Sequence, residues 1–239
     1  MLSATSTSGS SGRNRLLTAL APADFSLLAS KLKNISLSQG ELLQEAGEPI
    51  KHVYFPQSGM ISLLTVMQNG SAVETATVGR EGAMGAMSGL GSRIAPYRAV
   101  VRIEGAASRI AAAPFEAAVN GSASIKELIV RYSDFLMMMI QQSAGCSALH
   151  SLEKRLCRWL LQAQDRNDGI RLPVTQELLS QLLGVRRTTL TITARNLQTA
   201  GLIRYRRGLI EIVDRGGLEA KACECYDLIR AAQNLPLAL

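Results

Sequence analysis

Six arginines, and no aspartate or glutamate, lie between Leu178 and Ile210. They are Arg186, Arg187, Arg195, Arg204, Arg206 and Arg207. A guanidinium group donates two parallel hydrogen bonds to a phosphate or to the edge of a guanine, which an ammonium group cannot do. A stretch of one charge sign in a chain of otherwise mixed charge therefore favours a polyanionic partner over a merely solvated helix face.

The residues around these arginines predict two short helices joined by a tight turn. Thr175 is a good N-cap for a helix over residues 176–183, and Gly184 permits the left-handed turn that ends it. A second helix follows over residues 186–199, with Leu190 facing inward. Helix, glycine turn and helix form the helix-turn-helix arrangement, in which the start of the second helix can enter a DNA major groove.

A basic hairpin is predicted directly after the second helix. Its strands span residues 202–205 and 209–213, and Arg206-Arg207-Gly208 forms the tip, as in a wing that grips phosphates. The sequence therefore predicts double-stranded DNA as a partner, and the alternative is a winged helix that contacts protein. The predicted DNA-binding residues are Thr175, Arg186, Arg187, Thr188, Thr189, Thr191, Arg195, Arg206 and Arg207.

A long helix is predicted over residues 124–150, upstream of this motif. Ile125, Tyr132, Met139 and Cys146 are seven residues apart and form an apolar seam. A seam of about three heptads favours pairing with a second copy of the chain, through residues 124–146. The alternative is a helix that packs on its own domain. A further helix, capped by Ser151, follows, with Lys154, Arg155 and Arg158 expected on its polar side. Residues 165–171 are interpreted as a polar linker.

The N-terminal half has a different pattern. Short apolar runs separated by turn residues predict strands over residues 41–44, 52–55, 60–67, 72–78, 98–103 and 107–111. Asn69-Gly70 predicts a tight hairpin turn between two of them. Many short strands at this spacing are typical of a small sandwich or barrel.

Composition limits the class of protein. Of the 239 residues 47% are apolar and 19% are charged, which is enough to bury a core. The sequence contains no run of about 18 apolar residues, so no membrane-spanning helix is predicted. The start of the chain lacks the apolar segment of a secretory signal. We therefore expect a cytoplasmic protein that does not act at a membrane, with residues 1–13 disordered. The sequence contains no G-x-S-x-G, Walker or H-E-x-x-H motif, so an enzyme is not expected.

The order of these parts resembles the Crp/Fnr family of bacterial transcription regulators. The resemblance covers residues 20–215 and is most specific in VTQELLSQLLGVRRTTLTITARNLQTAGLI and the following YRRGLIEI. It implies an α+β chain: a jelly-roll-like β-roll of the cyclic-nucleotide-binding type (14–120), a dimerisation helix (121–150), a winged helix-turn-helix domain (151–217) and a C-terminal helix or tail (218–239). It also implies a homodimer on a near-palindromic operator, with RNA polymerase as a candidate partner.

The resemblance assigns roles to individual residues. Arg187 matches the family's guanine-reading arginine, and Thr175 and Arg186 match positions that contact phosphates. Two other base-reading positions differ, because Thr188 stands where glutamate is frequent and Ile192 stands where the family has an arginine. We therefore expect an operator other than the family's commonest one.

The family's cyclic AMP-binding members share a segment resembling G-E, a loop, and P-R-S/T-A-x-V. The matching stretch here, MGAMSGLGSRIAPYRAVVRI, has Tyr97 in the arginine place and Ala86 in the glutamate place. We therefore expect no cofactor and no control by cyclic AMP. The alternative is a regulator that responds to a cyclic nucleotide or another small effector through an anion site formed by Gly85, Arg98 and Arg102.

Four cysteines and two histidines could support metal or redox chemistry. Cys146, Cys157, Cys223 and Cys225 are scattered along the chain, which disfavours an iron–sulfur cluster. Cys223-x-Cys225 could bind a metal or oxidise, but the favoured interpretation is two solvent-side thiols on a helix. His52 and His150 are interpreted as a strand-edge residue and a helix-junction residue.

Overall fold

The computed structural model describes residues 14–167 and 169–234, and the predicted disorder of residues 1–13 lies outside them. Its elements, in chain order, are α1 (Arg15–Ala19), α2 (Pro22–Ala29), β1 (Lys33–Leu37), β2 (Leu42–Gln44), β3 (His52–Pro56), β4 (Met60–Val66), β5 (Ala72–Val78), a 3-10 turn (Ala86–Leu90), β6 (Arg98–Ile103), β7 (Gly105–Ala111), α3 (Ala112–Gly121), α4 (Ala123–Leu149), α5 (Leu152–Asp165), β8 (Arg171–Pro173), α6 (Gln176–Leu182), α7 (Arg187–Thr199), β9 (Ile203–Arg206), β10 (Leu209–Ile212), α8 (Arg215–Lys221) and α9 (Cys225–Ala232). Within the described ranges, no helix is both long enough and apolar enough to cross a membrane.

Two antiparallel sheets form the N-terminal domain, with strand orders β1-β7-β3 and β2-β6-β4-β5. They share one apolar core, to which Phe55 and Ile110 contribute from the first sheet and Leu63 and Val101 from the second. Each predicted strand is present. The edge strand β1 was not predicted, because only Leu37 of its five residues is buried and its sequence shows no clear alternation.

Strand β4 is covered on both faces. Ile61 and Leu63 belong to the core between the sheets, whereas Met60 and Leu64 belong to a second core that includes Trp159 of α5. A strand buried on both sides carries apolar residues on both faces instead of alternating ones. β4 follows this over Met60–Leu64 except at Ser62, whose buried hydroxyl donates to Glu74. The C-terminal domain is therefore packed directly on the outer face of the N-terminal sheet.

The long helix α4 buries the predicted self-pairing seam within its own chain. Ile125, Tyr132 and Met139 are only 1–2% exposed and pack into the core of the N-terminal domain. The alternative interpretation, packing on the helix's own domain, is therefore correct for these residues, because α4 covers β5 and the 3-10 turn. The exposed side of α4 carries a different heptad series, formed by Val130, Met137 and Ala144.

Helix α5 lies between the N-terminal sheet and the helix-turn-helix, so the expected polar face was wrong for Arg155 and Arg158, while Lys154 is exposed as expected. Arg155 and Arg158 are both under 10% exposed. Arg155 Nη2 donates to the carbonyl oxygen of Leu183 at 2.5 Å, and Arg158 Nη1 donates to Gln162 Oε1 at 3.1 Å. These bonds pair one terminal nitrogen of each cation that a two-sided contact has removed from water, while the buried Nε of each has no hydrogen-bond partner among the described residues.

A buried ion pair joins the two domains at the end of α5, within the segment interpreted as a polar linker. Arg166 and Glu81 have side chains only 2% and 4% exposed. Arg166 Nε and Nη2 lie 2.9 and 2.5 Å from Glu81 Oε1, which also accepts from the backbone N–H of Gly79. The prediction of a polar linker was wrong for Arg166, because its side chain is buried. The sequence does not indicate this burial, since the partner of Arg166 lies 85 residues away.

Glu74 forms a second polar contact across the same boundary. Trp159 Nε1 donates to Glu74 Oε1 at 2.8 Å, and the Ser62 hydroxyl donates to the other carboxylate oxygen. Burial raises the pKa of Glu74, while these two donors oppose the rise. Trp159 is the single tryptophan of the chain, so its fluorescence reports on this contact.

Candidate nucleic-acid interface

The two helices of the predicted motif are held by local bonds at the turn between them. The Thr175 hydroxyl accepts from the backbone N–H of Leu178 at 3.1 Å and caps α6. Gly184 has φ +64°, and the next residue, Val185, donates its N–H to the carbonyl oxygen of Ser180. Helix α7 starts at Arg187, one residue later than predicted, with Arg186 as its N-cap residue.

The start of α7 faces solvent, while its inner side is anchored by buried Leu190 and Leu197. The predicted DNA-binding residues exposed along α7 and its N-cap are Arg186, Arg187, Thr188, Thr189 and Arg195. Arg187 Nη1 lies 3.2 Å from Glu177 Oε2, and both side chains are more than half exposed. An exposed pair of this kind is weak, so Arg187 can exchange Glu177 for a base edge at little cost.

Thr191 is placed differently from its neighbours. Its hydroxyl lies 2.8 Å from Gln176 Oε1 of α6 and 2.9 Å from the carbonyl oxygen of Arg187 in α7, so it is engaged between the two helices instead of facing solvent freely. The adjacent Ile192 is 63% exposed, which is unusual for an isoleucine on a helix. An exposed apolar side chain at this place can contact the methyl group of thymine. In the sequence alone, Ile192 stands out only as the residue in place of the family's arginine.

The wing forms where the hairpin was predicted. Strands β9 and β10 pair with Arg206 opposite Leu209, which leaves a two-residue loop. Its residues, Arg207 and Gly208, have φ +50° and +80°, as in the type I′ turns that match strand twist. Strand β8 extends the sheet on the other side of β10. Arg206 and Arg207 are both exposed at this tip. The nearest acidic residue of the hairpin, Glu211, pairs with Arg204 instead.

The three residues of the alternative effector site do not form one site. Gly85 donates its N–H to the Tyr97 hydroxyl at 3.1 Å, and a Cβ at Gly85 would lie 2.6 Å from the carbonyl oxygen of His52. Arg98 Nε lies 2.9 Å from Glu45 Oε1. Gly85 therefore belongs to a tight internal turn, whereas the Arg98 side chain forms an ion pair with Glu45.

Arg98 and Arg102 lie on one face of β6, because side chains alternate along a strand. Together with Arg186 they line a groove of about 700 Å³ between the β4–β5 hairpin and the helix-turn-helix. Gly85 does not line this groove. The structure thus brings two of the three predicted effector residues together, and places them beside the candidate DNA-binding motif.

Tyrosine side chains occupy the region beside the loop that follows β5. Tyr132 of α4 is 1% exposed, and a Cβ at Gly82 would lie 2.6 Å from its hydroxyl oxygen. The backbone N–H of Ala83 donates to that hydroxyl, while burial raises the pKa of Tyr132. Backbone donors at Ala83 and Gly85, which an anion could otherwise use, are therefore paired with tyrosine hydroxyls.

The interpretation of solvent-side, scattered thiols was wrong. All four cysteines are buried, and Cys146, Cys223 and Cys225 form one cluster with His150 beside it. They are far apart in sequence but meet because α9 folds back against the end of α4. Cys157 lies apart in the core around α5, where burial raises its pKa to about 11.

Comparison with known proteins agrees with this architecture. Residues 34–122 match the family model of the cyclic nucleotide-binding domain, and residues 154–221 match that of the Crp-like helix-turn-helix domain. No curated protein sequence matches the chain significantly.

Several solved structures share the fold. A Crp/Fnr-family regulator from Eubacterium rectale has a TM-score of 0.69 at 19% identity over 86% of this chain and 96% of that one. FixK2 from Bradyrhizobium japonicum has a TM-score of 0.68 at 14% identity over 80% and 98%. CLP from Xanthomonas campestris, a c-di-GMP-responsive global regulator, has a TM-score of 0.65 at 16% identity over 80% and 99%. With both domain models matched in this order and joined by the long helix, the chain belongs to the Crp/Fnr family of transcriptional regulators.

Proposed function

We propose that this regulator acts as a homodimer on a near-palindromic operator and is not controlled by cyclic AMP. The observation that carries the proposal is the exposed start of α7, whose own residues include no acid, together with the exposed arginines of the wing tip. In this role Arg187 reads a guanine, while Thr175, Arg186, Arg206 and Arg207 hold phosphates. In this role the protein carries out no catalytic step and acts with its DNA in the cytoplasm.

A dimer would form through the exposed side of α4. Val130 and Met137 are 41% and 56% exposed, and Ala144 continues their heptad spacing. Large apolar side chains at a seven-residue repeat on an exposed helix face support pairing with a second copy. Such a dimer would set two α7 helices about one DNA turn, roughly 34–36 Å, apart.

Replacing Met137 by glutamate is expected to weaken the dimer by about 100-fold or more, because a charge enters both sides of an apolar seam. Analytical ultracentrifugation over a concentration series measures the change. Met67→Glu is the matched control, since Met67 is the same residue type with 55% exposure but lies outside α4. Equal association constants for the two variants would rule out this face.

The expectation of cyclic AMP independence is supported by the tyrosines beside the loop after β5. Tyr97 stands where the family's cyclic AMP-binding members have an arginine, and its hydroxyl accepts a hydrogen bond from the backbone N–H of Gly85. The Tyr132 hydroxyl likewise accepts a hydrogen bond from the backbone N–H of Ala83. A cyclic phosphate would have to displace both hydroxyls and would find no arginine in that place.

Selection of genomic DNA fragments with the purified protein, with and without cyclic AMP, tests the proposed function. At about 150 mM salt we expect one shared near-palindromic site in both arms. Enrichment that needs the nucleotide would overturn the proposed independence. The absence of any enriched site in both arms would contradict DNA reading by the protein without an effector.

The wing variants Arg206→Gln and Arg207→Asn should weaken binding to all DNA sequences alike. Asparagine suits the left-handed backbone at residue 207, so the turn is kept. Each lost phosphate contact should flatten the plot of log K against log salt by about 0.9. Arg93→Gln, at a side chain 81% exposed in the N-terminal domain, is the control and should leave the slope unchanged. An unchanged slope in the wing variants would favour a protein-contacting wing.

A second candidate is control by a small anionic effector in the groove that Arg98 and Arg102 line. The observation that favours it is the buried Nε of Arg102, which has no hydrogen-bond partner among the described residues. Calorimetric titration with cyclic AMP and with cyclic di-GMP tests this candidate. Binding that is lost in Arg102→Met but kept in Arg93→Gln would support it, and the absence of heat with both nucleotides would count against these ligands.

A further inference from the structure

Three cysteines and a histidine meet where the long helix ends. Cys146 lies in the last turn of α4, and His150, four residues later, is the C-cap residue of that helix. Cys225 is the first residue of α9, and Cys223 lies two residues before it. The cysteines are at most 3% exposed and form a buried cluster of their own, apart from both apolar cores.

The distances in this cluster suit a single metal ion. Cys146 Sγ lies 3.6 Å from Cys223 Sγ, and Cys225 Sγ lies 3.4 Å from His150 Nδ1. The four ligand atoms all lie within 4.8 Å of one another. A tetrahedral zinc ion with Zn–S bonds of about 2.3 Å and Zn–N bonds of about 2.0 Å holds its ligand atoms about 3.5–3.8 Å apart. Small movements of side chains would therefore complete the tetrahedron.

Outer groups are arranged as around a metal centre. His150 Nε2, the ring nitrogen that faces away from Cys225, lies 3.1 Å from Glu224 Oε1. A carboxylate on the second ring nitrogen orients a histidine ligand and increases its basicity. Gln142 Nε2 donates to Cys225 Sγ at 3.0 Å. The charge of Arg158 also acts on Cys146, and a nearby cation offsets the excess negative charge of three thiolates on one divalent ion.

We propose that Cys146, His150, Cys223 and Cys225 bind one Zn²⁺ ion. Three thiolates and one imidazole are a ligand set of structural zinc sites, and the burial of the cluster leaves no open position for a substrate. The ion ties α9 to the end of α4, next to Ser151, which caps α5. It therefore fixes the joint between the long helix and the DNA-binding domain, a role beyond the DNA reading proposed above.

The first test uses the full-length wild-type protein, purified under reducing conditions without chelator. Elemental analysis should find about one zinc per chain. Exchange with Co²⁺ should give the intense visible bands of a tetrahedral cobalt ion together with a thiolate charge-transfer band in the near ultraviolet. Neither measurement depends on DNA binding, so its failure and the failure of the proposed function can be told apart.

Matched cysteine variants locate the ion. Cys225→Ser should lose the zinc and the cobalt spectrum, whereas Cys157→Ser, at a buried cysteine outside the cluster, should keep both. A strong chelator should lower the Tm of the wild type and of Cys157→Ser by about 5 °C or more, and should leave that of Cys225→Ser unchanged. If Cys225→Ser does not fold, His150→Ala, at a side chain 18% exposed, replaces it.

Folded wild-type protein without zinc, and without the cobalt bands after addition of Co²⁺, would overturn the proposal. Equal zinc content in wild type, Cys225→Ser and His150→Ala would overturn it as well, since the ion would then lie elsewhere. Recovery of metal-free protein whose Cys146 and Cys223 are joined in a disulfide, with no Co²⁺ binding after reduction, would assign the cluster to thiol chemistry instead.

Discussion

Replacing Arg166 by methionine should lower the free energy of unfolding by about 3–5 kcal/mol, because the Glu81 carboxylate is left buried without its cation. Both side chains are almost fully buried, and Arg166 supplies two of the hydrogen bonds that Glu81 Oε1 accepts. Urea unfolding followed by the fluorescence of Trp159 measures the loss at the domain boundary itself. Circular dichroism on the same samples shows whether the two domains still unfold together.

Two further variants separate the ion pair from a general effect of losing an arginine. Arg93→Met removes a pair with Glu116 in which Arg93 is 81% exposed, and it should cost less than about 1 kcal/mol. The double variant Glu81→Leu with Arg166→Met should recover most of the loss, since both buried charges are then gone. A loss in Arg166→Met no larger than that in Arg93→Met would contradict a stabilising role for the pair.

Replacing Arg187 by alanine should cost about 1–3 kcal/mol at one base pair of the operator. The physical reason is the loss of a bidentate contact to guanine, whereas the exposed pair with Glu177 contributes little in the free protein. The measurement is the binding of wild type and variant to the selected operator and to operators carrying single base-pair substitutions. The variant should discriminate less at one position in each half-site and keep its preferences elsewhere.

Arg186→Ala is the matched comparison, because Arg186 precedes Arg187 and is also exposed but is assigned to a phosphate. It should weaken binding to all operators by a similar factor and flatten the salt dependence by about 0.9. A loss in Arg187→Ala that is spread evenly over scrambled sites would contradict the base-reading role. The same selectivity loss in Thr188→Ala would point to that residue as a second reader.

The packing of the DNA-binding domain on the N-terminal sheet links these predictions. Glu81 lies just after β5, in the segment that precedes the loop covered by Tyr132, and Arg166 ends the helix that supports α6 and α7. Glu74 and Trp159 lie on the same boundary. A change of the loop after β5 can therefore alter the position of α7 through contacts that are already in place. Loss of the Glu81–Arg166 pair should then also change operator affinity.

The sequence by itself predicted the local elements well. The strand boundaries of β5 and β6, the Thr175 cap, the turn at Gly184 and the basic wing tip follow from periodicity, capping and turn chemistry, which act between near neighbours. The order of these elements also indicated the family, because the helix-turn-helix and wing are contiguous in the chain. Strand β1 was not predicted, because an edge strand buries too few side chains to produce a recognisable alternation of apolar and polar residues.

Only the tertiary structure decided which surfaces remain free. The seam of α4 at Ile125, Tyr132 and Met139 has the same pattern whether it meets a second chain or its own domain. Likewise, no local pattern relates Arg166 to Glu81, or Cys146 to Cys223, since each pair is brought together by chain segments about 80 residues apart. The periodicity of apolar residues indicates that a side chain is buried, but the identity of its partner depends on how remote elements pack.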